Sequence, residues 1–195
     1  MRSDAADTRA RFPGDFAGTL AGARTNAPAA WTSLYEWLGP GVAGYLRMLG
    51  VRGEVDDLTC EVLLAVFRRI DAFDGSEANF RAWVFTVAHS RLIDERRRRA
   101  RRAQTVPFEC VNEPPTLGEP TDAAAMRALE VSNIEAVCAQ LPPDQRAVVL
   151  LRIIAELSVE QIADILDKSP GAVKQLQRRG FETARRLFAR QGVTL

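Results

Sequence analysis

Side chains that can read nucleic-acid bases are concentrated near the carboxyl end of this 195-residue chain. The cluster consists of Lys174, Gln175, Gln177, Arg178 and Arg179. In the major groove of DNA, glutamine pairs well with adenine edges, and arginine or lysine with guanine edges. Residues 168–190 contain seven basic residues against one acid, which gives the segment a net charge of +6. This composition predicts a DNA-reading surface, although a solvated basic face on an ordinary helix would contain the same residues.

Two predicted helices and a tight turn would position this cluster. Ser158 and Gln161 have the spacing of a capping box that opens a helix over residues 159–166. After a short turn, Ser169 can cap a last helix that starts at Pro170. This order of elements is typical of a helix-turn-helix, in which the first half of the second helix enters the major groove. The predicted buried positions are Ile162, Ile165, Leu166, Val173 and Leu176.

A second basic cluster lies in the first half of the chain, where residues 96–102 hold six arginines. Like charges at helical spacing repel one another, and phosphate groups would relieve that repulsion. The run follows an aromatic and apolar stretch over residues 80–93, and Phe73 precedes a turn at Asp74-Gly75-Ser76. Unpaired bases stack on aromatic rings that lie beside basic side chains. The pattern predicts a contact to unpaired nucleic acid, while a solvated charged helix end remains the alternative.

An acidic cluster precedes that basic run. Glu54, Asp56, Asp57 and Glu61 lie in the first turns of a helix predicted over residues 54–70, where the helix dipole favours acids. A metal or general-acid site would need partners that the sequence does not offer, since it has a single histidine and no calcium-loop spacing. We therefore expect no metal, no cofactor and no catalytic residues. The open alternatives are ordinary helix-terminal acids or a docking surface for a basic partner protein.

The predicted fold class is all-α, with two small helical domains joined by a flexible acidic linker, because no strand pattern occurs. Residues 1–30 lack a sustained period and are predicted to be a flexible arm. The two domains are predicted over residues 31–103 and 132–195, with the linker at 104–131.

The sequence also predicts two specific features of the helix boundaries. Gly39-Pro40-Gly41 is expected to kink or split the first long helix, predicted over residues 31–49. Ser132 and Glu135 are expected to form a capping box at the start of the second domain.

Charge and hydropathy exclude several classes of protein. With 26 basic and 25 acidic residues the net charge is +1, but this sum combines +6 over residues 80–102 with −5 over residues 104–135. No stretch is long and apolar enough to span a membrane, and the first 15 residues lack the apolar core of a secretory signal. Three widely spaced cysteines are typical neither of a disulfide framework nor of a zinc site. A cytoplasmic protein is expected.

These segments resemble the extracytoplasmic-function (ECF) sigma factors, the small members of the sigma-70 family. Residues 56–62 and 80–94, followed by the arginine run, resemble sigma domain 2. Residues 141–163 and 171–174 resemble sigma domain 4. The two domains occur in the right order and at the right separation.

The resemblance implies a partner or a DNA contact for each cluster. Asp56, Asp57 and Glu61 would dock on the clamp helices of core RNA polymerase. The loop at Phe73 and the helix that carries His89, Ser90 and Arg91 would open the −10 promoter element and capture a flipped base. Nearby phosphates would be held by Arg96, Arg97 and Arg98. The −35 element would be read by Ser169, Lys174, Gln175, Gln177, Arg178 and Arg179.

The same resemblance implies an anti-sigma factor as a further partner, no small-molecule substrate, and a linker whose acids mimic RNA in the polymerase exit path. This chain departs from the family pattern at four places: Cys60 replaces a usual Gln, Ser90 a usual Asn, Gln175-Leu176 a Ser-Arg pair and Gly180-Phe181 an Ala-Arg pair. The alternative function is a helix-turn-helix regulator that binds duplex DNA without polymerase.

Overall fold

The computed structural model of the chain describes residues 11–51, 53–105 and 122–190. Within these ranges the regular structure is helical, in agreement with the predicted fold class. The described part of the first half contains four α-helices, with a short 3₁₀ turn, Ile70–Ala72, between the last two. The helices are α1 (Phe16–Arg24), α2 (Pro28–Met48), α3 (Val55–Phe67) and α4 (Glu77–Thr105).

The described residues of the second half, 122–190, form four more helices. They are α5 (Asp122–Gln140), α6 (Pro143–Ile153), α7 (Val159–Leu166) and α8 (Pro170–Arg190). The starts of α7 and α8 coincide with the predicted positions, because Ser158 and Pro170 are strong local start signals. Among the described residues, no helix has both the length and the apolar content needed to cross a membrane.

The amino-terminal arm is the main correction to the predicted organisation. Residues 16–24 form α1 and α2 begins at Pro28, so the described part of the arm is structured rather than flexible. Phe12, Leu20 and Ala23 are buried against the first domain. Burial of these side chains supplies the stabilisation that a 9-residue helix containing two glycines lacks in isolation. Residues 1–10 lie outside the described part of the chain.

Two further expectations concern helix boundaries. Of the kink or split expected at Gly39-Pro40-Gly41, the split does not occur, because α2 runs through these residues. Pro40 is exposed, so water can reach the carbonyl of Glu36 that loses its hydrogen bond. The capping box predicted at Ser132 is wrong, because Ser132 lies inside α5, and no glycine or proline interrupts the segment from Asp122 to Gln140. Residues 106–121 of the predicted linker lie outside the described ranges.

The core of the first domain is built from α2, α3 and α4. Helix α2 contributes a stripe of fully buried residues, and α3 and α4 pack against it. Thr59 is the buried polar residue of this region, and its hydroxyl donates to the carbonyl of Val55 at 2.7 Å. The largest fully buried side chains are Tyr45, Phe80, Phe85, Leu34, Leu46, Leu63 and Leu92.

The two halves touch in this structure. The side-chain amide of Gln161, in α7, donates to the carbonyl oxygen of Ala78, in α4, at 3.4 Å. A cavity of about 280 Å³ lies between the halves and is lined by His89 and Ile93 on one side and by Arg146 and Leu166 on the other. The middle of α4 therefore faces the second domain in this arrangement.

Candidate functional site

Helix α8 exposes the base-reading cluster predicted from the sequence. Val173 is fully buried and Leu176 packs partly against the core, so these two positions fix the inner face of the helix. The outward face then carries the polar cluster, of which Gln177 is half-buried and the rest are exposed: Lys174, Gln175, Arg178 and Arg179. The guanidinium of Arg178 pairs with Glu182 at 3.2 Å across one turn of α8. An exposed pair of this kind contributes little to stability and can be exchanged for a DNA contact.

The turn between α7 and α8 sets the angle at which this surface is presented. Ser158 and Gln161 form the predicted capping box, with N–H to oxygen distances of 2.9 and 3.2 Å. Asp167 ends α7 in a left-handed conformation with φ of 51°. Ser169 Oγ accepts from the N–H of Ala172 at 3.2 Å, which confirms its predicted capping role. The buried positions Ile162 and Val173 hold the two helices together at this turn.

Gly180 permits the close packing of α8 on α6. A Cβ atom at this position would lie 2.6 Å from Cγ2 of Val149 and 3.3 Å from the backbone oxygen of Gln145. Real Cβ atoms do not approach other atoms so closely, so a larger residue would push α8 away from α6. The departure from the family pattern at Gly180 therefore has a packing reason, which the sequence alone does not reveal.

An aromatic cluster surrounds the predicted base-capture residue Phe73. Its ring stacks on Trp83 with centroids 5.4 Å apart and an interplanar angle of 10°. Phe80 meets the Phe73 ring edge-on at 4.9 Å and is fully buried, whereas Phe73 and Trp83 are half-buried. The turn residues Asp74, Gly75 and Ser76 next to this stack are exposed. The arrangement places a partly exposed aromatic pair beside an exposed backbone turn, and stacking of an unpaired base needs such partly exposed rings.

The arginine run at the end of α4 is partly neutralised by neighbouring acids. Arg97 lies 3.9 Å from Asp94, and Arg98 lies 4.0 Å from Glu95. The guanidinium of Arg99 contacts Glu95 at 2.8 Å and, across the gap to α3, Glu54 at 3.4 Å. The pairs of Arg97 and Arg98 are long and their guanidinium groups are exposed, so phosphate oxygens can compete for these two groups. The sequence predicted the basic run but could not predict which acids would face it.

Arg96 and His89 have structural contacts of their own. The guanidinium of Arg96 donates to the carbonyl of Leu49, one residue after the end of α2. Nδ1 of His89 lies 2.8 Å from the hydroxyl of the buried Tyr45. Burial first, and then the charge of Arg96, lowers the pKa of His89 below its ordinary value.

The predicted −10 residues do not form one pocket. They follow α4 from the turn before it to the arginine run, a distance of about 30 Å at the usual helical rise. Ser90 is exposed, whereas His89 and Arg91 are half-buried. The predicted −10 residues therefore lie along the length of α4. They form a track with the aromatic stack at one end and the exposed charges of Arg97 and Arg98 at the other.

The acids predicted for partner docking share an exposed face of α3. Asp56, Asp57 and Glu61 point away from a core formed by buried positions of the same helix. Leu64, one turn beyond Glu61, is 51% exposed although it is large and apolar. Leu64 adds an apolar side chain to this acidic face, although a single exposed apolar residue is common on protein surfaces. Sequence reasoning missed Leu64, because it occurs in an apolar run in which nothing marks it as exposed.

Within the described ranges, no group of three or more histidine, cysteine, aspartate or glutamate side chains could hold a metal ion. Cys60 and Cys138 are free thiols, the first exposed on α3 and the second buried in α5. Cys110 lies outside those ranges.

Comparison with known proteins assigns both halves to the same kind of protein. The family model for Sigma-70 region 2 matches residues 34–102, and the model for Sigma-70 region 4 matches residues 132–183. The chain is 32% identical to the ECF RNA polymerase sigma factor SigW of Bacillus subtilis over 149 residues, or 72% of this chain and 78% of SigW. It is 29% identical to the ECF sigma factor BldN of Streptomyces coelicolor over 160 residues, which is 82% of this chain but 60% of BldN.

A solved structure shares the fold. The sigma factor RpoE of Bartonella quintana, in complex with the anti-sigma factor NepR, superposes with a TM-score of 0.61 and 22% identity. The match covers 81% of this chain and 96% of that one.

Proposed function

Because the chain belongs to the ECF sigma factors of the sigma-70 family, we propose that it directs core RNA polymerase to a specific set of promoters. In this role the first domain binds core enzyme and the −10 element, and the second domain binds the −35 element. The observation that carries the proposal is the half-exposed stack of Phe73 on Trp83 beside the exposed turn at residues 74–76. A protein that only reads duplex DNA has no use for a surface that accepts unpaired bases.

We assign the −10 contacts to the track along α4. A flipped base stacks at the Phe73 end, and Ser90 and Arg91 contact the strand farther along the helix. Arg97 and Arg98 hold phosphates, for which they exchange their weak contacts with Asp94 and Glu95. We leave His89 out of the direct contacts, because its imidazole is occupied by Tyr45.

We assign −35 recognition to the outward face of α8. The side chains of Lys174, Gln175, Arg178 and Arg179 are exposed on the amino-terminal half of that helix, where a recognition helix meets base edges. Ser169 lies at the helix start, where its backbone and the helix dipole favour a phosphate. The factor supplies binding and positioning, and the polymerase supplies the covalent chemistry.

We also propose that an anti-sigma factor controls the chain and that the protein works in the cytoplasm, where core polymerase is found. Support for the inhibitor comes from RpoE, which has the same fold and is bound to the anti-sigma factor NepR. Purification of the tagged chain from native cells, followed by mass spectrometry, tests this directly. Polymerase subunits and one stoichiometric inhibitor are expected, and recovery of the chain without either would contradict the proposal.

The docking role of the acidic face of α3 can be tested by charge reversal. Glu61→Arg places a cation beside Asp57 and Leu64 on that exposed face. The substitution should lower the affinity for core polymerase at least tenfold, since mismatched charges at an interface cost several kcal/mol. Glu36→Arg, on an exposed position of α2, is the matched control and should bind like wild type. Equal core affinity of Glu61→Arg and wild type would remove α3 from the interface.

A further inference from the structure

Residues 11–24 lie outside both family-model matches. They pack beside the turn at residues 73–77, the base-capture turn of the proposed function. Helix α1 contacts the 3₁₀ turn Ile70–Ala72, which directly precedes Phe73. The segment buries Phe12, Leu20 and Ala23, so it is an integral part of the first domain. The segment therefore lies where it can influence the conformation of the turn.

Two hydrogen bonds from this segment hold the turn at both ends. At the first end, the guanidinium of Arg24 donates to the carbonyl oxygen of Phe73. At the other end, the backbone N–H of Phe12 donates to Oε1 of Glu77 at 2.6 Å. Both bonds involve a charged partner, and such hydrogen bonds are stronger than neutral ones.

Phe12, whose N–H donates to Glu77, is itself fixed by ring packing. The Phe12 ring meets Trp37 edge-on with centroids 5.2 Å apart, and the Phe16 ring lies 5.5 Å from Phe80. Phe80 in turn contacts Phe73, so the rings of the amino-terminal segment and those of the base-capture stack form one continuous cluster. The N–H of Phe12 is therefore held in place rather than carried by a free tail.

Between the two hydrogen bonds, the tip of the turn is open to solvent. Asp74, Gly75 and Ser76 are exposed. Gly75 has φ of +152°, a conformation that other residues rarely adopt, and a Cβ there would lie 3.3 Å from the Phe73 ring. A turn that is fixed at both ends and open in the middle loses little conformational entropy when it captures a ligand.

We infer that residues 11–24 preorganise the turn at residues 73–77 for capture of an unpaired base, with Arg24 and Glu77 as positioning residues. Neither side chain has to touch DNA for this role, because each acts through the backbone or side chain that it holds. The inference rests on the proposed −10 function and adds to it a specific contribution from a segment that the family models do not match.

The test uses full-length chain loaded on core polymerase and a promoter recovered by transcription of genomic fragments with the wild-type holoenzyme. A base scan of the −10 element finds the position most sensitive to substitution, and a second template carries an abasic site there. On intact DNA, Arg24→Ala and Glu77→Ala should each lower the fraction of open complexes about fivefold, the effect of one hydrogen bond. On abasic DNA each variant should equal wild type, since the base that the turn captures is missing.

Matched variants distinguish a positioning role of Arg24 and Glu77 from a general loss of structure. Glu77→Gln keeps an oxygen that can accept from the Phe12 N–H and should restore open complexes. Arg47→Ala removes an exposed arginine of α2 and should behave like wild type. Amide hydrogen exchange of the free chain should become faster at Ala72 and Phe73, whose N–H groups donate to the carbonyls of Arg69 and Ile70, in Arg24→Ala, a readout that needs no polymerase.

Two results would overturn the inference while the proposed function stands. One is wild-type opening of intact DNA by both Arg24→Ala and Glu77→Ala. The other is a deficit of the same size on abasic DNA, which would indicate general damage rather than base capture. If the wild-type chain neither binds core polymerase nor opens any promoter, the proposed function fails and the inference fails with it.

Discussion

The two candidate DNA-reading surfaces are built in opposite ways. On α8 the reading side chains project from a helix whose opposite face is buried, and few of them contact other protein groups. In the first domain the rings that would hold a base are continuous with the core through the fully buried Phe80. A surface that reads closed duplex can thus vary without affecting the fold. A surface that receives an extruded base is part of the packing.

The two surfaces also differ in how many of their basic side chains pair with acids of the protein. The arginines at the end of α4 contact Asp94, Glu95 and Glu54, so their DNA contacts would replace existing weak pairs. On α8 the described ion pair is that between Arg178 and Glu182, with Lys174 and Arg179 exposed beside it. We therefore expect substitutions on the outward face of α8 to change DNA affinity alone, and substitutions in the aromatic cluster to change stability and function together.

The largest expected effect is that of Phe80→Ala. This change empties the centre of the aromatic cluster and should destabilise the first domain by about 3–5 kcal/mol. Trp31, Trp37 and Trp83 all lie in that domain, so the urea dependence of tryptophan fluorescence measures it selectively. Gln177→Ala on α8 is the comparison and should stay within about 0.5 kcal/mol of wild type. Equal losses in the two variants would contradict the contrast between the surfaces.

A smaller loss is expected for Gly180→Ala. The added Cβ would clash with Val149, and the strain should exceed the gain in helix propensity, with a net destabilisation of about 1–3 kcal/mol. The helical circular dichroism transition should shift while tryptophan fluorescence of the first domain changes little. Gly171→Ala is the control on the same helix, since its Cβ would meet nothing within 4 Å. A Gly180→Ala chain as stable as Gly171→Ala would refute the packing role of Gly180.

Lys174→Ala and Arg178→Ala should each weaken binding to −35 DNA by about 1 kcal/mol or more and reduce the salt dependence of binding by about one unit of slope. Neither should change the urea midpoint, because both side chains are exposed. Arg190→Ala, at the far end of α8, serves as the control. Fluorescence anisotropy over a range of salt concentrations measures both quantities. Unchanged affinity in both variants would remove the outward face of α8 from promoter contact.

The smallest expected effect is a pH dependence of stability that arises from His89. Its folded pKa is lower than the ordinary value of 6.5, mainly because of burial. Below about pH 6.5 the unfolded chain binds a proton that the native imidazole does not, so stability should decrease as pH falls and level off below the folded pKa.

Since His89 is the single histidine of the chain, its imidazole resonance can be followed by NMR without ambiguity. The urea midpoint should fall in the same pH range, and His89→Gln should abolish that part of the dependence. An imidazole that titrates at its ordinary pKa would contradict the role of burial.

Much of the helical framework could be predicted from the sequence, because its start signals are local. Ser158, Ser169 and Pro170 mark the helix-turn-helix, and the structure confirms the caps. The amino-terminal arm could not be recognised, since α1 gains its stability from tertiary burial of Phe12, Leu20 and Ala23. The spacing of Phe16, Leu20 and Ala23 was a usable helical signal that the surrounding glycines obscured.

The composition of the site was easier to predict than its geometry. The acids, the aromatic residues and both basic clusters could be identified by type. Which of them pair could not, because the contact of Arg99 with Glu54 and that of His89 with Tyr45 join residues about 45 positions apart. Those contacts place the His89 ring against Tyr45 and partly neutralise the arginine run.

The central claim, that this chain is a promoter-directing subunit of RNA polymerase, is tested most directly by run-off transcription with purified core enzyme. Core polymerase with the chain should produce discrete transcripts from a limited set of genomic fragments, and either component alone should produce none of them. The claim would be contradicted if the chain shifted a duplex site as a dimer in the absence of core enzyme and added no transcripts in its presence.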